Sequence, residues 1–404
     1  MYDFIIIGAG IVGLATGVKL LEKFPNSRLL IIEKEFTIAK HQTGNNSGVI
    51  HSGIYYKPGS LKALNCIKGY KMLLEFCDKY KINYDICGKL IVAGNKKETE
   101  ILQMLYKRGI ENGLDGIKLV NKEQLKEIEP NVTGEKGVFV PQTGIIDYTE
   151  VSKKYKGIIE NAGGKFVFNC EVLDIKTIDN SVAVISKKTT YNTNYLITCC
   201  GLYSDIIAKK TNKKVNFRII PFRGEYYSLL ENKRNLIRNL IYPVPDPLFP
   251  FLGVHFTRMI SGQVEAGPNA VLAFKKEGYK KTDFSFNDTF NIFVWKGFRK
   301  IIYKYWLTGF LEFYRSFNKN VFVKSLQKLV PEINSDCLTK GSSGIRAQAC
   351  DEDGNLLDDF YFIENKNIIH VCNAPSPAAT GSLAIGQYIV EKIEKIVFKN
   401  LGKN

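Results

Sequence analysis

The sequence predicts an α/β fold: a Rossmann-like nucleotide-binding domain, discontinuous along the chain, with an inserted mixed-sheet substrate domain of α+β character. Three observations predict it. The chain opens with an apolar strand, a glycine-rich turn and a helix; a second strand–loop–helix lies near its far end; short alternating runs fill the stretches between. Its 404 residues give length for both domains and a sizeable core.

The opening reads "YDFIIIGAGIVGLATGVKLLEKFPNSRLLIIEK". Tyr2 to Ile7 is short and apolar, as a buried parallel strand is. In the turn Gly8-Ala9-Gly10-Ile11-Val12-Gly13, Gly8 permits the tight bend, Gly10 lets the backbone approach a pyrophosphate, and Gly13 lets helix and strand pack closely. The helix that follows, to about Phe24, offers free N–H groups and a positive dipole end to the phosphates. The next strand ends at Glu33, followed by Lys34; an acid about 20 residues beyond the glycines hydrogen-bonds a ribose hydroxyl. Strand, helix and acid at this spacing make a dinucleotide site, and they leave NAD and FAD both open.

Two later segments favour FAD. "YNTNYLITCCGLYSD" (191–205) reads as a strand ending at Gly201, and "KNIIHVCNAPSPAATGSLAIGQYIVEKI" (366–393) as strand, tight loop and helix. Completion of the nucleotide fold by the end of the chain is the organisation of large FAD proteins, where a late helix aims its dipole at the flavin pyrimidine. Ser376, Ala379, Thr380 and Gly381 are small enough for such an approach. The FAD-binding domain is therefore expected at 1–80, 145–215 and 340–404. The substrate domain is expected at 81–144 and 216–339, where "KLIVAG", "GVFVPQTG" and "RGEYYSLL" alternate as sheet strands do.

Charge and cysteines bound the partners. A net charge of +16 and a pI of about 9.2 favour anionic partners, or reflect biased codon usage in a Lys-, Asn- and Ile-rich chain. Nucleic acid is not expected, because no binding fold is recognisable and the charge is spread along the chain. Nine cysteines, an odd number without a CxxC pair, speak against a zinc site and against a secreted disulfide framework. No metal is expected, and the cytoplasm is the expected location. A strand begins at the second residue, so no signal peptide is expected, and no run of roughly 18 apolar residues suggests a membrane span. Residues 283–322 hold both tryptophans among many Phe, Tyr, Lys and Arg. They are expected to form a helical insert, either docking peripherally on the inner face of the cell membrane or covering the substrate domain.

"HQTGNNSGVIHSGIYYKPGSLKALNC" (41–66) resembles the signature of the L-2-hydroxyglutarate dehydrogenase/oxidase family, a branch of the D-amino-acid-oxidase-like flavoproteins. So do "PFRGEYY" (221–227), "YPVPDPLFPFLGVHFTRMISGQVEAGPNAVLA" (242–273), "GIRAQACDEDGNLLDDF" (344–360) and "HVCNAPSPAATGSLAIGQYIV" (370–390). One departure stands out: the family usually reads HNSG where this chain has Asn45-Asn46-Ser47-Gly48. The resemblance implies FAD-dependent oxidation of L-2-hydroxyglutarate to 2-oxoglutarate, with electrons passed to a membrane quinone or to oxygen. It implies that His41, Thr43, Asn46, Ser47 and Gly48 line the cofactor, with Val172 and Gly201 as further contacts, and that His51 and Tyr55 face the substrate.

Removing a hydroxyl proton calls for a base with a pKa near neutral, and histidine suits it. Of the four histidines, His370 lies in an apolar strand and reads as structural; His255 and His51 are the candidates. A dicarboxylate substrate calls for arginine, which clamps carboxylates bidentately. Arg346 is the first candidate, with Arg223 and Arg258 behind it. Two rivals stand beside this reading. One is a related FAD enzyme acting on another 2-hydroxy acid, glycerol 3-phosphate or an amino acid. The other is a non-catalytic, membrane-associated flavin-binding protein, motivated by Asn45 and the aromatic insert.

Overall fold

The computed structural model describes residues 1–246 and 251–401; residues 247–250, inside the 242–273 block, and 402–404, at the end of the expected FAD domain, lie outside the described residues. Tyr2–Ile7 forms the expected strand and is buried from Phe4 onward. It lies between parallel neighbours, Leu29–Ile32 on one side and Thr190–Thr198 on the other. A strand covered on both faces has no polar side, which is why the run is apolar throughout. Thr190–Thr198 stops three residues before the expected end; Gly201, at φ +50°, opens a short 3-10 turn instead.

The C-terminal strand Ile368–Asn373 adds parallel to Thr190–Thr198, so the end of the chain completes the sheet begun at its start. Helices Ile11–Lys23 and Ser382–Leu401 pack against each other over one core. A Cβ on Gly386 would stand 2.8 Å from the Ala15 carbonyl oxygen, so the two helices meet at backbone contact. Leu61–Tyr80 packs beside the C-terminal helix.

A second sheet of nine strands carries the inserted segments. Its long antiparallel pair is Phe217–Leu229 with Leu338–Asp351. Residues 340–351, expected in the FAD domain, therefore lie in this sheet. Their apolar–polar alternation marks a strand but does not say which sheet it joins. A small sheet of Val49–Ile50, Tyr84–Asp85 and Gly144–Ile146 ties the 41–66 stretch to the two ends of the first inserted segment. The aromatic insert is helical, as Phe286–Phe293, Lys296–Phe317 and Lys319–Gln327. Among the described residues no helix is long and apolar enough to cross a membrane.

Candidate active site

Gly8 and Gly13 leave no room for a side chain, whereas a Cβ on Gly10 would meet only Thr43 Oγ1, at 3.5 Å. Gly8 sits at φ +103°, where a Cβ would lie 2.3 Å from the Cys199 carbonyl oxygen, and a Cβ on Gly13 would lie 2.1 Å from that of Gly8. Polar groups hold the turn from behind. Thr43 Oγ1 accepts from Ile11 N–H at 3.1 Å, and the Glu33 carboxylate accepts from Ala9 N–H at 2.7 Å and Glu35 N–H at 3.0 Å. Gly10 places no capping side chain over the start of the helix. These residues fit a dinucleotide: with only Ile11 N–H taken, by Thr43, and no capping side chain at Gly10, the helix end suits a pyrophosphate, and each Glu33 oxygen keeps a lone pair for a ribose hydroxyl. Beside them, Lys34 bridges Glu35 and Glu277, while His41 lies 2.9 Å from Glu35 Oε1 and 3.2 Å from the Tyr279 hydroxyl. Glu35, His41 and Glu277 are close enough to share a cation, and the Lys34 ammonium already supplies it. Val172 is buried at the start of its strand.

In the 41–66 stretch several side chains bind their own loop rather than face a cofactor. Asn45 Nδ2 donates to the carbonyls of Lys40 and His41, at 3.0 and 2.8 Å. Asn46 donates to Gln42 and Thr43 and accepts from Gly48 N–H at 2.7 Å. Thr43 and Asn46, expected to line the cofactor, spend these side-chain bonds on shaping the loop that would hold it. Gly48, at φ +66°, leaves no space for a Cβ, which would meet the Ile146 carbonyl at 2.7 Å; half-buried Ser47 precedes it. The loop is fastened to the start of the C-terminal helix. Thr380 Oγ1 accepts from His51 N–H at 3.1 Å and lies 2.8 Å from the Tyr148 hydroxyl, and Ser376 Oγ lies 3.2 Å from His51 Nε2. The turn through half-buried Ala379 packs so tightly that a Cβ on Gly69 would stand 2.5 Å from Gly381 Cα.

Beyond this loop the structure gathers His51, Tyr55 and Arg346 with His255, and adds two residues the sequence reading missed, Lys89 and Tyr242. The His255 ring stacks on Tyr242 with centroids 3.9 Å apart. Its Nδ1 lies 2.8 Å from the Gly253 carbonyl, which only accepts, so Nδ1 carries the hydrogen and Nε2 keeps its lone pair. Burial, aided by the positive charges of Arg346 and Lys89, pulls His255 down to about 3. Burial does the same to His51, with Lys89 and His255 adding to it. Both rings are therefore neutral at neutral pH. The Lys89 ammonium stands 4.4 Å from the Tyr55 ring centre and 5.1 Å from that of Tyr242. Arg346 stacks over Phe251 at 5.3 Å.

The other two arginines are committed elsewhere. Arg223 pairs with Glu225 at 3.0 Å and donates to the carbonyls of Gly278 and Lys280. Opposite partners in the ladder are Phe222 with Arg346 and Arg223 with Ile345, so Arg223 and Arg346 point to opposite faces. Arg258 forms an ion pair with Asp85. His370 is held between Thr198 at 2.9 Å and Thr211 at 2.7 Å, a structural role.

The family model for FAD-dependent oxidoreductases matches residues 3–392. The chain is 51% identical over 391 residues to the L-2-hydroxyglutarate dehydrogenase of Indibacter alkaliphilus, covering 96% of this chain and 98% of that one. The chain belongs to the L-2-hydroxyglutarate dehydrogenase family of FAD-dependent oxidoreductases. It is also 44% identical to the enzyme of that name from Escherichia coli K12, over 98% of this chain and 94% of the other. With the human mitochondrial one it shares 44% identity, over 98% and 89%. Among solved structures, the FAD-bound L-α-glycerophosphate oxidase of Mycoplasma pneumoniae superposes with a TM-score of 0.79 at 23% identity, over 97% of this chain and 94% of that one, a likeness of fold. FAD is the family's cofactor, and the glycine turn, the start of the helix behind it and Glu33 are the parts that fit it.

Proposed function

We propose that the protein oxidises L-2-hydroxyglutarate to 2-oxoglutarate, that His255 is the base, and that the electrons pass to a membrane quinone. The observation that carries the chemistry is the free Nε2 of a neutral His255, fixed by the Gly253 carbonyl, with the charge of Arg346 close enough to act on it. His51 is the weaker candidate because its Nε2 already faces Ser376. Arg346 binds and orients the carboxylate beside the reacting carbon, and its fork suits that task. His255 Nε2 takes the hydroxyl proton as the C2 hydrogen leaves with its electron pair, and the C–O bond becomes a carbonyl. When bound, the flavin supplies the acceptor for that hydride. Proton and hydride together equal the two hydrogens that turn a quinone into a quinol, so the balance closes.

Two observations bear on the rivals. An amino acid would bring an ammonium group into a pocket that holds the cations Lys89 and Arg346, where like charges repel. The quinone is supported by the helical insert, whose exposed Trp306, Phe310 and Phe317 are suited to a membrane surface. The test is a visible spectrum of the flavin-loaded protein under argon. L-2-Hydroxyglutarate is expected to bleach the flavin bands and the D form to leave them. Bands that bleach with glycerol 3-phosphate or an amino acid instead would replace the substrate, and bands that no substrate moves would leave a flavin-binding protein without turnover.

A further inference from the structure

We propose that Lys89 is the residue that selects a substrate with two carboxylates: it seats the carboxylate at the far end, while Arg346 seats the one beside the reacting carbon. The inference rests on the functional reading above and deepens it.

Lys89 opens strand Lys89–Ala93 and is 1% exposed. A buried ammonium is costly unless an anion or hydrogen-bond acceptors compensate it. Among the described residues it has neither. No salt bridge or hydrogen bond engages its Nζ; two aromatic faces, Tyr55 and Tyr242, are what it meets. The groups around it are neutral. Burial raises both phenols well above their ordinary range and pushes the Cys66 thiol up to about 12, so none supplies a negative charge. His51 and His255 are uncharged. The Tyr55 hydroxyl is itself buried with no partner. The Lys89 ammonium lies over the ring of Tyr55, whose hydroxyl is unpaired, and together they offer a carboxylate a charge and a donor. The cost of leaving Lys89 empty shows in its own proton: burial pulls the ammonium down to about 7. A carboxylate arriving there would restore the charge.

Arg346 is a second cation beside His255, stacked over Phe251 and in no ion pair among the described residues. Two carboxylates thus meet two cations. The assignment of ends follows from their chemistry. The reacting end must be oriented against the base, which a planar two-pronged guanidinium does; the far end needs only charge, which a compact ammonium gives. A monocarboxylic 2-hydroxy acid would fill the Arg346 seat and leave Lys89 unpaired, so the pocket discriminates by the desolvated ammonium it leaves uncompensated.

The test uses the full-length, flavin-loaded protein and two ligands read by the perturbation of flavin absorbance. One is 2-oxoglutarate; the other is 2-oxopentanoate, which carries a methyl group in place of the far carboxylate. Wild-type protein is expected to prefer 2-oxoglutarate strongly. K89M is expected to weaken 2-oxoglutarate binding on the order of 100-fold and to change 2-oxopentanoate binding by less than about threefold. R346M is expected to weaken both. Equal losses for both ligands in K89M, or no loss for either, would overturn the role of Lys89. Wild-type protein that binds both ligands alike would instead sink the dicarboxylate reading itself. Removing an unpaired buried charge relieves its desolvation, so K89M is expected to fold and keep its flavin; K89Q repeats the measurement if flavin content falls.

Discussion

His255 is bound by one nitrogen and free at the other, and two predictions follow from its state. H255Q keeps a hydrogen bond to Gly253 within reach but lacks a base, so kcat is expected to fall about 10²- to 10⁴-fold with flavin content unchanged, as stopped-flow bleaching under argon would show. Retained bleaching rates would move the base to His51. The second prediction concerns acid. His255 and His370 are pulled to about 3 and about 4 in the folded protein by burial, while an unfolded histidine titrates near 6.5. Between those values the unfolded chain binds protons that the folded one refuses. The histidines' contribution to stability is therefore complete above about pH 6.5 and is lost as pH falls below it, by about 1.4 kcal/mol per pH unit for each histidine. Thermal melts from pH 7.5 down to 5 check the sign: a midpoint that holds or rises on acidification would mean these rings are charged when folded. Lys89 shows why part of this site was illegible. In "KLIVAG" it stands at the start of a run buried on both faces, so alternation could not reveal that the lysine is buried too, on the face it shares with Ile91 and Ala93. Only the fold brings it to Tyr55, 34 positions earlier, and to Tyr242, far later.

At the level of elements, the first strand, glycine turn and helix were legible because their requirements are local. A turn with no room for a Cβ demands glycine wherever the rest of the chain goes. The same holds for the C-terminal strand and helix, whose runs are uninterrupted. What was not local was harder to place: residues 340–351, expected in the FAD domain, join the other sheet, and Arg223, a candidate behind Arg346, is put on the other face by one residue of ladder register. The cofactor-facing loop shows the same limit, since Asn46 has donors and acceptors that suit a ligand and spends them on Gln42, Thr43 and Gly48. The tightness of the turn is itself testable. G13A would drive a Cβ to 2.1 Å from the Gly8 carbonyl and push the helix away from the strand. Overpacking of this kind costs about 1–3 kcal/mol, and here it falls on the phosphate cradle. The variant is expected to purify with little or no flavin colour and to need at least about 10-fold more FAD for reconstitution. Full flavin content would show that the cradle tolerates the shift and that the pyrophosphate is held elsewhere.

On the scale of the whole molecule, the helical insert is the feature that the interior chemistry does not explain. Lys296–Phe317, kinked at Tyr305, exposes Tyr303 before the kink and, after it, Trp306, Leu307, Phe310, Leu311, Tyr314 and Phe317, spaced three and four apart along one side. The neighbouring Phe286–Phe293 adds Phe286, Phe290 and Phe293. Single exposed apolar residues need no explanation, but a contiguous patch of aromatic rings does. Its charge is one-sided. Lys296, Arg299, Lys300, Lys304 and Arg315 lie on the long helix, and its one acid, Glu312, is buried against Ala270 N–H and paired with Arg315. An apolar face rimmed by basic groups is the composition that settles into an anionic lipid surface, each basic residue adding about 1 kcal/mol near the headgroups. Such docking would bring a lipid-soluble quinone within reach of a protein whose substrate is a water-soluble dianion. Flotation is the measurement: the wild-type protein is expected to rise with vesicles containing phosphatidylglycerol, less so as salt screens the charges. W306E/F310E places carboxylates in the patch, away from the pocket, and is expected to lose flotation and quinone reduction while still reducing a water-soluble dye. A variant that floats and reduces quinone as the wild type does would overturn the membrane assignment. The patch would then need another occupant, and the quinone another route.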